Sequence, residues 1–261
     1  MSKVFVTSLW TDSFNPVLSY ARENQHNFEI QIFGSPRVLD TNWQEILKDY
    51  QQKLKPFKGI ISIHGPFEDL KLHSVDRQIR ELTKQRYIQA LDIAKELKAS
   101  MVLFHGNFSS LARDESERQW GIRRNVEFIS EILNKYNFTI LLENVWEKTP
   151  QIFRTFLDEI KSPRLKICID MGHLNVWADA PTDEWISVLG DDIRYMHVHD
   201  NKGDYDSHSV PGEGNINWQN FSSIIVKNKI EPFIVLEVVG VEKTRKADNF
   251  LRENHIYPYN L

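Results

Sequence analysis

A single cysteine, Cys168, is the whole thiol content of this 261-residue chain. One thiol cannot close an intramolecular disulfide, so the fold must hold without such a link, and a reducing compartment suits it. Long hydrophobic runs are missing as well: none approaches the roughly 20 residues a membrane-crossing helix needs. The opening MSKVFVTSLW lacks an extended apolar stretch followed by a small-residue cleavage site, so it reads as a first strand and not as a secretory signal. These absences lead to the expectation of a cytoplasmic protein. Nor is there a cationic excess. Lys+Arg number 32 against 36 Asp+Glu, a formal charge of −4. That balance gives no global attraction to duplex DNA or to an anionic membrane, and neither is expected as a partner. No Gly-rich phosphate loop follows the first apolar run, which ranks a doubly wound open sheet below its alternatives. No linker, low-complexity tract or shift of composition divides the chain. Residues 1–261 are therefore expected to form one domain, large enough to bury most of its apolar surface.

What is present is a repeated alternation. Eight short apolar runs occur: Lys3–Leu9, Phe28–Phe33, Gly59–His64, Met101–His105, Phe138–Glu143, Leu165–Asp170, Ile193–His199 and Pro232–Val238. Amphipathic stretches lie between them. Ser74–Lys98 places Ile79, Leu82, Ile88, Leu91, Ile93, Ala94 and Leu97 close to helical spacing. Asp114–Tyr136, Gln151–Ile160, Asp183–Leu189 and Trp218–Lys227 read the same way, and Thr182 is placed to cap the fourth of these helices. Strand and helix alternating eight times predicts parallel strands joined by helical crossovers. In a chain of this length that is an α/β fold, a single (β/α)8 TIM barrel.

The ends of the strands carry the chemical signal. Strands three to eight finish at His64, His105, Glu143, Asp170, His197 and Glu237. In a parallel barrel these ends converge on one mouth, where active sites sit. His173 follows Asp170 by three residues, and Asp206 and His208 lie in the dense stretch Tyr195–Trp218 (YMHVHDNKGDYDSHSVPGEGNINW). One histidine or glutamate at a strand end is more often a hydrogen-bonded anchor than a ligand. Six on successive strands are harder to assign to chance. Four carboxylates gathered without a lysine or arginine repel one another unless a cation or protons sit among them. Imidazole and carboxylate without thiolate suit Zn²⁺ or Mn²⁺, with Fe²⁺ as a further fit.

Other residues read less sharply. Trp10, Phe67, Trp146 and Trp177 follow strand ends and are placed to wall a substrate pocket, although aromatics there are more often packing. Arg37 and Lys202 could meet an anionic substrate or simply face solvent. His199 points to the same strand face as His197 and reads as a support for a ligand or as a contact for substrate. Cys168 reads as barrel packing. His26, His73 and His255 read as surface or loop residues.

The set HGPF (64–67), FHGN (104–107), LLEN (141–144), IDMGH (169–173), MHVHDN (196–201), DSH (206–208), PGEGNI (211–216) and LEV (236–238) resembles the xylose isomerase-like TIM-barrel superfamily, which includes AP endonuclease family 2 and sugar phosphate isomerases and epimerases. The resemblance runs from the third strand to the eighth. Its endonuclease IV-like branch implies three zinc ions. The first would be held by His64, His105 and Glu143; the second by Glu143, Asp170, His197 and Glu237; the third by His173, Asp206 and His208. Its isomerase branch implies one metal on Glu143, Asp170, His197 and Glu237, with the two glutamates moving protons and His173 touching substrate.

Charge separates the two chemistries. Four ionised carboxylates contribute about −4. One divalent ion leaves the mouth near about −2, suited to a neutral polyol. Three leave it near about +2, suited to a phosphodiester and the hydroxide that attacks it. Filling nine ligand positions is hard to explain with one metal; one to three ions per chain are expected, with a phosphorylated or polyhydroxylated small molecule as substrate. The leading expectation is phosphoester hydrolysis, with Glu143 and Glu237 as its catalytic carboxylates. The alternative is a mononuclear sugar or sugar-phosphate isomerase or epimerase.

Overall fold

The computed structural model describes residues 2–106, 108 and 114–260. Eight strands pair in sequence order and all in parallel: β1 (Val4–Ser8), β2 (Asn27–Ile30), β3 (Ile61–His64), β4 (Met101–His105), β5 (Thr139–Glu143), β6 (Leu165–Asp170), β7 (Ile193–Val198) and β8 (Phe233–Leu236). β8 returns to pair with β1 and closes the barrel.

Alternation along each strand sorts its side chains. Outward positions such as Val4, Val6, Phe28, Ile30, Ile63, Val102, Phe104, Ile140, Leu142, Ile167, Ile169, Met196 and Val198 join the shared core under the helices. Inward positions form a separate plug of Phe5, Met101, Leu103, Leu141, Cys168, Tyr195, Phe233 and Val235. Phe5 meets Tyr195 and Phe233 edge-on at 5.0 and 5.2 Å, the geometry aromatic quadrupoles favour. The buried Tyr195 hydroxyl is satisfied by Ser62 at 2.6 Å. Two residues further along the same face the character changes. Leu103 gives way to His105, Leu141 to Glu143, Cys168 to Asp170, Tyr195 to His197 and Val235 to Glu237. The apolar plug is thus a floor, and the polar layer above it is the mouth.

The helices are α1 (Thr11–Glu23), α2 (Pro36–Asp40), α3 (Trp43–Leu54), α4 (Arg77–Glu96), α5 (Glu115–Lys135), α6 (Gln151–Ile160), α7 (Met171–Trp177), α8 (Thr182–Leu189), α9 (Trp218–Asn228) and α10 (Val241–Glu253). Local chemistry starts several of them. The side chains of Asp76, Asp114 and Asn217 accept from the second or third backbone N–H of α4, α5 and α9, satisfying donors that a helix start leaves open. Thr182 is not a cap: Pro181 holds that position with extended backbone and Thr182 is the first helical residue. β2 stops at Ile30, short of the expected Phe33. Ile32–Gly34 winds into a 3₁₀ turn that leads into Pro36 at the start of α2.

His26 is not a surface residue. It is buried just before β2, with Nε2 3.0 Å from Asp248 on α10 and Nδ1 3.3 Å from the Ser2 hydroxyl. His73 is half-buried and stacks on Phe108 at 5.0 Å, whereas His255 is exposed. Among the described residues no helix is long and apolar enough to cross a membrane.

Candidate metal centre

The barrel register levels the strand ends. His105 pairs with Glu143 across β4 and β5, and Asp170 pairs with His197 across β6 and β7. His64 closes β3 and Glu237 directly follows β8. Glu143 is the hub. Its Oε2 lies 3.3 Å from His64 Nε2 and 3.2 Å from His105 Nε2. Its Oε1 lies 2.7 Å from His197 Nδ1, which is also 3.0 Å from Glu237 Oε2 and 3.6 Å from Asp170 Oδ2.

A third cluster stands beside these two. Asp170 caps α7 by accepting from the His173 amide at 2.6 Å, and this turn swings His173 into the mouth. Asp206 Oδ2 then lies 3.2 Å from His173 Nε2 and 3.0 Å from His208 Nε2. His199 stacks on His208 at 4.0 Å and points Nε2 at both Asp170 oxygens, at 3.1 and 3.0 Å. It is fully buried, which leaves it no face for substrate. The nine strand-end and loop residues thus fall into three groups, with Glu143 in two of them; His199 joins the third group, and Cys168 makes a further close set with Glu143 and His197. In each group one donor atom per residue lies within 4.8 Å of the others.

The donor set fits divalent metal by two independent signs. First, the imidazoles are turned for it. His64, His173 and His208 each set Nδ1 against a backbone carbonyl, of Gly65, Asn144 and Glu237, at 2.9, 2.8 and 3.0 Å. Donation there leaves the Nε2 lone pair for the mouth, the arrangement that fixes the tautomer of metal-binding histidines. Second, both Glu143 oxygens, His197 Nδ1, His199 Nδ1, Asp206 Oδ1 and Glu237 Oε2 are buried without a hydrogen bond. A crowd of buried acceptors is costly unless positive charge sits among them.

Ionisation follows the same logic. Burial works to raise the Glu143 carboxyl, but His197 and His105 outweigh it and hold it well below the usual carboxylate range. Burial likewise works to lower His173 and His208. For His173, Asp170 and Asp206 prevail and raise it to about 10. Glu237 and Asp206 raise His208 to about 9. His105, dominated by its burial, is lowered. The carboxylates gather protons onto the imidazoles that a divalent ion would displace.

The loop that brings Asp206 and His208 is built on Asp200, which is fully buried. Its Oδ1 accepts from the amides of Asn201 (2.9 Å) and Ile216 (3.2 Å); its Oδ2 accepts from the Gly212 amide (2.8 Å) and the Trp218 indole (2.9 Å). The glycines of Pro-Gly-Glu-Gly serve this anchor. Gly212 has φ +92°, and a Cβ on Gly214 would collide with Asp200 and the Asn201 carbonyl.

The aromatic rim is partly assembled. Phe67 stacks over His105 at 4.4 Å, Trp146 meets Trp177 at 4.5 Å, and Trp177 lies 5.2 Å from His173. Trp10 is exposed at the start of α1, and Arg37 and Lys202 are exposed. Three polar residues near the centre escape sequence reasoning, of which Glu29 and Glu147 are buried. Glu29 and its neighbour Gln31 stand on the β2 side of the mouth. Glu147 accepts from the amides of Val145 (2.7 Å) and Phe108 (2.8 Å), which ties the loops after β4 and β5 together.

A closed parallel barrel with a histidine–carboxylate mouth defines a class of TIM-barrel enzymes. Within that class the chain belongs to the xylose isomerase-like TIM barrel family, whose model matches residues 26–254. It is 29% identical over 265 residues to an uncharacterized protein of Methanocaldococcus jannaschii, covering 97% of this chain and 87% of the relative. It is 26% identical over 223 residues to the probable endonuclease 4 of Mycoplasmopsis pulmonis, covering 77% of each. The crystal structure of a D-tagatose 3-epimerase-like protein superposes with a TM-score of 0.77 at 25% identity, over 97% of this chain and 96% of that one.

Proposed function

We propose that this chain is a divalent-metal-dependent phosphoester hydrolase with a polynuclear site at the C-terminal mouth of the barrel. One observation carries the reading: the two oxygens of Glu143 are divided between two ligand clusters, Oε2 toward His64 and His105 and Oε1 toward His197 and its carboxylates. A mononuclear site needs only the second cluster and leaves two histidines on Oε2 without a purpose. His64, His105 and Glu143 would hold one ion; Glu143, Asp170, His197 and Glu237 a second; His173, Asp206 and His208 a third. Zn²⁺ and Mn²⁺ suit these donors, and so does Fe²⁺. When bound, such ions supply Lewis-acid chemistry, making water nucleophilic and neutralising charge on a phosphoryl group.

The residues of the chain do the rest. Glu143 Oε1 and Glu237 Oε2 converge on His197 Nδ1 from 2.7 and 3.0 Å, so the two carboxylates flank the point of the mouth where a nucleophile would be positioned. Phe67 over His105 and the Trp146–Trp177 pair beside His173 keep bulk water from the mouth and offer flat faces to a substrate. The exposed Arg37 and Lys202 are available to its anionic end. Likeness to a probable endonuclease 4 supports phosphodiester chemistry. The net charge of −4 directs it to small phosphodiesters in preference to duplex DNA.

One observation favours the isomerase or epimerase reading. Glu143 and Glu237 flank a single point as two proton-transfer groups would, in a barrel superposable on a D-tagatose 3-epimerase-like protein. Two assays on one preparation decide. Hydrolysis of bis(p-nitrophenyl) phosphate, with no solvent-deuterium exchange into ketoses, is the expected result. Exchange without hydrolysis reverses the assignment.

A further inference from the structure

Three of the mouth histidines give Nδ1 to a backbone carbonyl and present Nε2. His197 does the opposite. Its Nδ1 faces Glu143, Glu237 and Asp170, and its Nε2 points down to Glu29, 3.4 Å from each carboxylate oxygen. Glu29 lies on β2, paired in register with Thr7 and Ser62, and is fully buried. Its other contacts are the Thr7 hydroxyl at 3.4 Å and the Gln31 amide at 2.9 Å. The same Gln31 nitrogen donates to Glu237 Oε1 at 2.7 Å, which leaves Glu237 Oε2 as the oxygen without a hydrogen bond.

A carboxylate kept in this floor needs a function to offset its burial, and among the described residues no backbone group donates to it. A neutral imidazole carries one N–H. With that proton on Nε2 and directed at Glu29, the Nδ1 lone pair is fixed toward the mouth. With the proton on Nδ1, the Nε2 lone pair would face a buried carboxylate at 3.4 Å, lone pair against lone pair.

We infer that Glu29 is a positioning residue. It accepts the Nε2 proton of His197 and so commits Nδ1 as the donor atom, while Gln31, held by Glu29, occupies Glu237 Oε1 and restricts Glu237 to binding a cation through Oε2. This rests on the metal-centre reading proposed above. It adds a buried Glu–His pair and a bridging amide that reach the site from β2, the one wall that supplies none of the nine expected ligands besides β1.

The test uses full-length protein labelled with ¹⁵N-histidine. In zinc-loaded wild type, long-range ¹H–¹⁵N spectra are expected to show His197 as the Nε2–H tautomer. Glu29→Leu removes the acceptor at similar volume. It should mix the His197 tautomers in the zinc-loaded protein and weaken zinc binding about 10- to 100-fold in a chelator competition, the usual range for loss of such an outer partner. Glu29→Gln retains a carbonyl acceptor and should restore both readouts most of the way. Thr7→Val, a neighbouring change in the same floor, should move neither. An Nδ1–H tautomer in wild type overturns the inference, and so does a Glu29→Leu protein with unchanged tautomer and zinc affinity. Should Glu29→Leu fail to fold, wild type and Glu29→Gln still decide: the Nε2–H form in wild type and its survival in Glu29→Gln support the pair. Wild-type protein that binds no zinc at all overturns the metal-centre reading as well, a result distinct from zinc binding indifferent to Glu29.

Discussion

Replacing Asp200 by Asn should separate the loop anchor from the metal ligands it carries. The substitution is nearly isosteric, so packing is kept. An amide presents one oxygen and one NH₂ where the carboxylate presents two oxygens. If the oxygen stays at Oδ1, the NH₂ faces the Gly212 amide and the Trp218 indole, both donors, now at 2.8 and 2.9 Å. Two hydrogen bonds to a charged acceptor are lost, each worth roughly 1.5–3 kcal/mol, and the buried Trp218 indole is left unsatisfied, while the exposed Gly212 can turn to water. The expected destabilisation is about 3–6 kcal/mol. At about 2–4 °C per kcal/mol for a chain of this size, Tm should fall by roughly 6–24 °C. The loss is local to 201–217, so the Asp206–His208 cluster should suffer first. Thermal unfolding by circular dichroism and zinc content after dialysis read the two effects. A variant within about 2 °C of wild type that retains its full zinc content would refute the idea that Asp200 builds the site.

Three further predictions follow from the same contacts. Glu143→Gln should lower bound metal by about two ions per chain while leaving the His173–Asp206–His208 ion, since only the first two clusters share that carboxylate; metal analysis of the folded variant checks this. Trp146→Ala should raise KM several-fold with little change in kcat, because the ring lies at the rim beside Trp177 and touches no proposed ligand; steady-state kinetics on an aryl phosphodiester separate the two constants. Acid sensitivity should have a component at the opposite end of the barrel. Burial works to raise Asp248, but hydrogen bonds from His26, Tyr259 and Tyr20 hold it at about 2. A depressed carboxyl contributes stability above its unfolded value near 3.8 that is lost as pH falls toward about 2, here about 2 kcal/mol. Urea unfolding of wild type and Asp248→Asn should therefore converge by about that amount between pH 4 and pH 2.

The barrel was legible because its signals are local. Short apolar runs bounded by turns and helices with period 3.6 need no knowledge of distant partners. The six strand-end residues proposed as ligands stood out for the same reason: each interrupts an apolar run at its last inward position. Glu29 offers an equal interruption in FEIQIF, but extending that strand to Phe33 places it mid-strand, where it looks like an outlier instead of a strand-end residue. Ending the strand at Ile30, ahead of Gly34-Ser35-Pro36, would have singled it out. His26 could not be recognised as buried, because its partner Asp248 is 222 residues away and nothing in the flanking Gln25 and Asn27 announces a core. The division of Glu143 between two clusters is a matter of individual oxygen atoms, which no spacing encodes. The structure also alters the reading of Tyr195–Trp218. Asp200 organises that loop, and His199 lies buried beneath it against Asp170.

The central claim is a polynuclear centre bridged by Glu143. Its most direct measurement is anomalous scattering at the zinc edge from crystals of protein purified without chelator, combined with metal content per chain. Three peaks are expected at the barrel mouth, two of them sharing Glu143 and the third enclosed by His173, Asp206 and His208. A single peak on Glu143, Asp170, His197 and Glu237, with one metal per chain in solution, would contradict it.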